Sequence, residues 1–161
     1  MIDYEKIICT GIMLEALTIR QALNYLPLTV IDQLKDNLSI FTMTNKAGVR
    51  LSRPLCQAND IIFLSDKIFP PEETPQTETN FRFFIIVLLH ELVHAYLKHK
   101  CRVFHGISPD EVDKQELEAD AMAMQWYNEY VEAHAELEIA AITKEEMDAF
   151  RTNFSSNRST I

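Results

Sequence analysis

His90, Glu91 and His94 stand inside "FRFFIIVLLHELVHAYLKH", residues 81–99, where Phe83 to Leu89 is unbroken hydrocarbon and Leu92, Val93, Ala95 and Leu97 continue it. Burying a carboxylate without a partner costs roughly several kcal/mol or forces it to take up a proton. A cation beside the acid removes that difficulty, and the spacing H-E-x-x-H says where it would sit. Residues i and i+4 of a helix differ by about 400° of rotation, so both imidazoles leave one face a turn apart and can reach a single ion. Zinc takes His nitrogens at about 2.0–2.1 Å. Glu91, next to His90, can reach a metal-bound water without being a ligand, which is the place of a general base. A five-residue match of this kind arises by chance in roughly one chain in a hundred or fewer.

A catalytic zinc takes three protein ligands and keeps a position for water. Downstream, "KQELEADAMAMQWYNEY" offers Glu116 and Asp120, again four apart on one helical face. The 21 residues between His94 and Glu116 allow the chain to turn back and lay a second helix beside the first. Glu116 is then the expected third ligand, with Glu118 the competing one. Asp120, one turn on, is placed to accept a hydrogen bond from the outer nitrogen of His90, which fixes the tautomer of a ligating ring and raises its basicity. His105, Tyr127 and Tyr130 are the candidates for stabilising an oxyanion. His99 and His134 read as solvated helix residues, and Cys101 as a buried thiol.

Two long helices must position these groups: one over about 81–100, and one over about 109–135 with Ser108 as its cap and Pro109 in its first turn. Thr79 or Asn80 is the expected cap of the first. Upstream, Ile8, Ile12, Ala16, Ile19, Leu23 and Leu26 recur at helical spacing and predict a helix over 4–25 that Pro27 ends. "PLTVIDQLKDNL" predicts a shorter second one. The period then changes: "LSIFTMTNKAGVRLSRPL" alternates around Asn45 to Gly48 and predicts a hairpin, with "DIIFLSDKI", residues 60–68, as a third strand. Pro54 places the second strand's end, or an edge, there. "FPPEETPQTETN" is a polar loop, Lys144 to Arg151 a short last helix, and 153–161 a flexible tail. The expected whole is α+β, one domain over 1–152: a helical part (1–40), a small three-stranded, mostly antiparallel sheet (41–68), and the two helices bearing the site.

Composition bounds the rest. The chain has 161 residues, 47% of them hydrophobic, and a formal charge of −9 with no basic cluster, which argues against nucleic acid as a partner. Three widely spaced cysteines, Cys9, Cys56 and Cys101, suit reduced thiols in a cytoplasm better than a disulfide framework. No apolar run approaches the ~20 residues needed to span a bilayer, and the acidic start does not read as a signal peptide.

H-E-x-x-H followed by a helix bearing E-x-x-x-D resembles the gluzincin metallopeptidases. Closer still, "DIIFLSDKI", then "HELVH", then "ELEADAMA" resembles the ImmA/IrrE family over about residues 60–125, with His90, Glu91, His94 and Glu116 matching its motif. Val93 stands where that family usually has Gly, Asp120 where Asn is common, and Met122 where Phe is. The resemblance implies a zincin-like domain, a Zn2+ cofactor, and hydrolysis of a peptide bond in a specific, regulatory protein substrate, with a regulatory partner protein as a further implication. Two other readings stay open. One is a binding module that keeps the fold without catalysis; the other is a zinc hydrolase of a non-peptide amide.

Overall fold

The segment that carries H-E-x-x-H is apolar on every side, and a helix of that kind belongs at the centre of a fold. The computed structural model, which describes residues 4, 7–43, 49–51, 60–71, 75, 77–100 and 105–158 (side chains of 49–51 and 153–158 excepted), places it there. Its helix, Thr79–Tyr96, has buried residues on all faces, among them Phe84, Ile85, Leu88, Leu89, Leu92 and Val93. It packs against the sheet, against both N-terminal helices and, most extensively, against a second long helix.

In chain order the elements are β1 (Ile8–Cys9), α1 (Met13–Leu23), α2 (Leu28–Leu34), β2 (Leu38–Met43), β3 (Val49–Leu51), β4 (Asp60–Ser65), α3 (Thr79–Tyr96), α4 (Pro109–Ala133) and α5 (Lys144–Arg158). Short 3-10 turns at Asp66–Ile68 and Ala135–Leu137 follow β4 and α4. The mixed helix-and-sheet class is as expected, and the sheet differs from the expectation in three ways.

Among the described residues it has four strands, in the order β1-β2-β4-β3. β1 with β2, and β2 with β4, are parallel pairs, and only β3 with β4 is antiparallel. The expected hairpin is therefore absent, because β4 lies between the two strands it would have joined (Asn45 to Gly48, its turn, and Pro54 lie outside the described residues). Alternation marks a segment as a strand but does not name its partner. What decides the order is β4's own sequence: Ile62 and Leu64 are fully buried while Ile61 and Phe63, on the other face, are half-buried. A strand apolar on both faces takes an interior place.

The third difference is β1, where a helix over 4–25 was expected. Ile8 and Cys9 pair with Ile40 and Phe41. Gly11 disfavours helix by about 1 kcal/mol, and the Thr10 hydroxyl accepts from the Ile12 N–H and donates to Glu15, turning the chain into α1.

Ser108 caps α4, its hydroxyl accepting from the Glu111 N–H at 3.2 Å, with Pro109 in the first turn. α3 begins after Glu78, which offers no side-chain cap, so neither Thr79 nor Asn80 fills that role. α5 opens with a reciprocal capping box: the Thr143 hydroxyl accepts from the Glu146 N–H, and the Glu146 carboxylate accepts from the Thr143 N–H. With no Gly or Pro to stop it, α5 runs to Arg158, well past Arg151 and through residues expected to be a free tail.

One buried cation ties these elements together. Arg82 on α3 is 7% exposed. It donates to the Tyr127 hydroxyl on α4, to both carboxylate oxygens of Glu146 on α5, and to the Ala141 carbonyl before α5. Asn128 holds that same segment by exchanging two hydrogen bonds with the Ile142 backbone. Among the described residues, no helix is long and apolar enough to cross a membrane.

Candidate metal centre

Helical spacing alone puts His90 and His94 on one face of α3. α4 runs antiparallel beside it, so Arg82 meets Tyr127, His90 meets Asp120, and both histidines meet Glu116. Three donors converge there. The two Nε2 atoms are 3.0 Å apart, and Glu116 brings one carboxylate oxygen to 3.4 Å from His90 Nε2 and the other to 3.6 Å from His94 Nε2. Two ring nitrogens this close need either a proton or a cation between them.

These spacings suit a cation. Donors about 2.0–2.1 Å from one tetrahedral ion lie ~3.3–3.4 Å from each other. The observed separations of 3.0, 3.4 and 3.6 Å straddle that value. His90, His94 and Glu116 thus form a group able to hold a metal, as their spacing in the sequence suggests. The donor set, two imidazoles and one carboxylate, is one that zinc accepts in sites left open to water.

Asp120 stands behind His90, its Oδ1 accepting from Nδ1 at 2.8 Å. A carboxylate only accepts, so the neutral His90 ring keeps its proton on Nδ1, and Nε2 is then the nitrogen with a lone pair to offer a metal. Burial disfavours a charged His90 ring. Its bonds to Asp120 and Glu116, with the nearby charge of Glu91, outweigh burial and raise it from 6.5 to about 9.

Glu91 is 4% exposed, close enough to act on His90, and not one of the three converging donors. Glu118 is off the triad; its carboxylate lies 3.4 Å from His99 Nε2. His99 itself is 8% exposed, which corrects the reading of it as solvated, and its Nδ1 lies 2.8 Å from His94 Nδ1. His134 caps the end of α4, half-buried and stacked on Tyr130.

A cavity of about 240 Å³ opens beside the triad. His90, Glu116 and Asp120 form one wall, and Phe83, Ile86, Val87, Met147 and Phe150 supply most of the apolar lining. Arg151 also lines it, with Nη1 3.4 Å from Asp120 Oδ2. Sequence reasoning missed Arg151, although Met147, Phe150 and Arg151 recur at helical spacing, so a cation shares the face that buries apolar side chains.

The oxyanion candidates fare differently. Tyr127 is fully buried, stacked on Tyr25, its hydroxyl engaged by Arg82, and it does not line the cavity. Tyr130 packs between Tyr25 and His134. Tyr127 is a core position, and Tyr130 is half-buried against the core. His105 is exposed on the approach to α4, outside the cavity lining. Cys9 is a free, exposed thiol, while Cys56 and Cys101 lie outside the described residues.

Compared with protein-family models, with curated proteins and with solved structures, the chain finds no significant match.

Proposed function

We propose that this chain is a zinc metallopeptidase of the gluzincin type, most like the ImmA/IrrE family, hydrolysing a peptide bond in a specific protein substrate. The observation that carries the reading is the convergence of His90 Nε2, His94 Nε2 and the Glu116 carboxylate at spacings that suit one tetrahedral ion. These three side chains would hold the metal, and Asp120 would keep His90 in the ligating tautomer. A bound zinc supplies Lewis acidity, which acidifies water and polarises a carbonyl oxygen.

The remaining chemistry falls to the chain's own residues. Glu91, buried beside the triad, accepts the proton of the attacking water and passes it to the leaving amine. Closed structural sites fill all four positions with protein ligands and have no task for such an acid. The cavity against His90 takes an apolar side chain of the substrate between Phe83, Ile86, Val87 and Phe150. Arg151, which also lines the cavity, is a candidate to stabilise negative charge on the substrate carbonyl. The edge strand β3 lies next to α3 and can hold an extended substrate by backbone pairing. A regulatory protein as substrate, in a cytoplasmic setting, is part of the same proposal.

The test is Glu91→Gln. It should retain about one zinc per chain, measured by mass spectrometry, and lose peptide hydrolysis by 10³-fold or more, on the order expected for removing a general base together with its charge. His94→Ala should lose the zinc as well. A Glu91→Gln protein that cleaves as fast as the parent chain overturns the assignment.

A further inference from the structure

We infer that His99 is the positioning residue for His94, doing for the second histidine what Asp120 does for the first. The inference rests on the metal reading above. If both Nε2 atoms present lone pairs to an ion, each ring must carry its proton on Nδ1. His90 donates that proton to Asp120. The His94 Nδ1 faces the His99 Nδ1 at 2.8 Å, so His94 donates and His99 accepts. The proton of His99 is then on Nε2, which faces Glu118 Oε2 at 3.4 Å. One requirement at the metal thus sets three tautomers in a row, and the row ends at a half-exposed carboxylate. His99 lies on the far side of His94 from the triad and is not a further ligand.

The backbone builds this contact. α3 ends in a Schellman motif: the Lys98 N–H bonds to the Ala95 carbonyl and the His99 N–H to the His94 carbonyl. Lys98 takes the left-handed conformation the motif needs, with φ at 57°. That 6→1 bond returns residue 99 over residue 94, the residue whose ring needs a partner. The next N–H, of Lys100, is fastened to α4 by the Gln115 side chain at 2.6 Å. His99 is consequently buried and held from both sides.

Cobalt(II) is a suitable probe, because it takes zinc's ligands and shifts the proton resonances of the rings it binds. Titrated with Co2+ alone, the intact protein should show two shifted ring N–H protons protected from exchange, one for His90 and one for His94. His99→Phe keeps the bulk and removes the acceptor; His99→Asn keeps an acceptor at the Nδ1 position. Co2+ should dissociate about 10–100-fold more readily from His99→Phe, while His99→Asn stays within about threefold of the parent, the scale usual for partners of metal-ligating histidines. A parent protein that binds one Co2+ but protects a single ring N–H overturns the inference and leaves the metal site standing, as does a His99→Phe protein of unchanged affinity. A parent that binds no Co2+ overturns both. If His99→Phe fails to fold, the count of protected protons decides.

Discussion

A proton and a metal ion would compete for the same lone pair on His90. Without metal, the ring is held protonated to about pH 9 against an ordinary 6.5, although burial opposes the charge, because Asp120, Glu116 and Glu91 favour it. The metal-free protein therefore gains stability from this group that is fully present below pH 6.5 and is lost as pH rises through 9. Ligation requires the neutral ring, so metal affinity changes in the opposite sense and rises over the same interval. Melting temperatures recorded from pH 6.5 to 9 should fall in the metal-free protein relative to the zinc-bound one; parallel curves would contradict the assignment. The residues that make this site were legible where a helix transmits spacing faithfully. His90 and His94 at i and i+4, and Glu116 and Asp120 likewise, need nothing but 3.6-residue periodicity to share a face. His99 was not legible, because it lies beyond the helix end and its placement depends on a lysine taking a conformation that glycine usually supplies. Arg151 was not legible either, since its role exists only once α5 has docked.

At the scale of elements, two junctions decide whether the site is well held. The first is the end of α3, where a left-handed side chain costs about 1–2 kcal/mol relative to glycine, part of which glycine's greater freedom in the unfolded chain offsets. Lys98→Gly should accordingly raise stability by about 0.5–1 kcal/mol in denaturant unfolding while leaving the His94–His99 contact and metal affinity unchanged. A loss of stability there would mean that the lysine side chain has a role of its own. The second junction is Arg82, whose guanidinium joins α3 to α4 and α5. Arg82→Met leaves the buried Tyr127 hydroxyl and the Ala141 carbonyl without this donor, at a cost of about 2–3 kcal/mol. The figure stays below that of a fully buried ion pair because Glu146 is 40% exposed and keeps some water. The same denaturant experiment reads it, and a change under 0.5 kcal/mol would remove Arg82 from the framework. The sheet shows where reading by pattern stops. Alternation identified β2, β3 and β4 as strands, but the interior place of β4 follows from apolar residues on both its faces, and β1 is too short for any period to register.

Across the whole molecule, the metal would connect two helices far apart in sequence, and no such site survives in the unfolded chain. Free zinc at a hundred times its dissociation constant should then add about 2.7 kcal/mol, a rise of roughly 5–10 °C in melting temperature for a chain of this length, reversed by a chelator. A melting curve indifferent to zinc and chelator alike would sink the centre itself. The architecture also divides the cavity wall among three helices. Every donor of the triad belongs to α3 or α4, whereas Met147, Phe150 and Arg151 all belong to α5, fastened through the Glu146 end of the Arg82 clasp. The triad and the α5 share of the cavity wall are thus encoded in separate stretches of chain, while α3 and α4 supply the rest of that wall. On the proposed reading, substitutions at Met147 and Phe150 would retune the size of the side chain admitted, while the three donors are inherited intact.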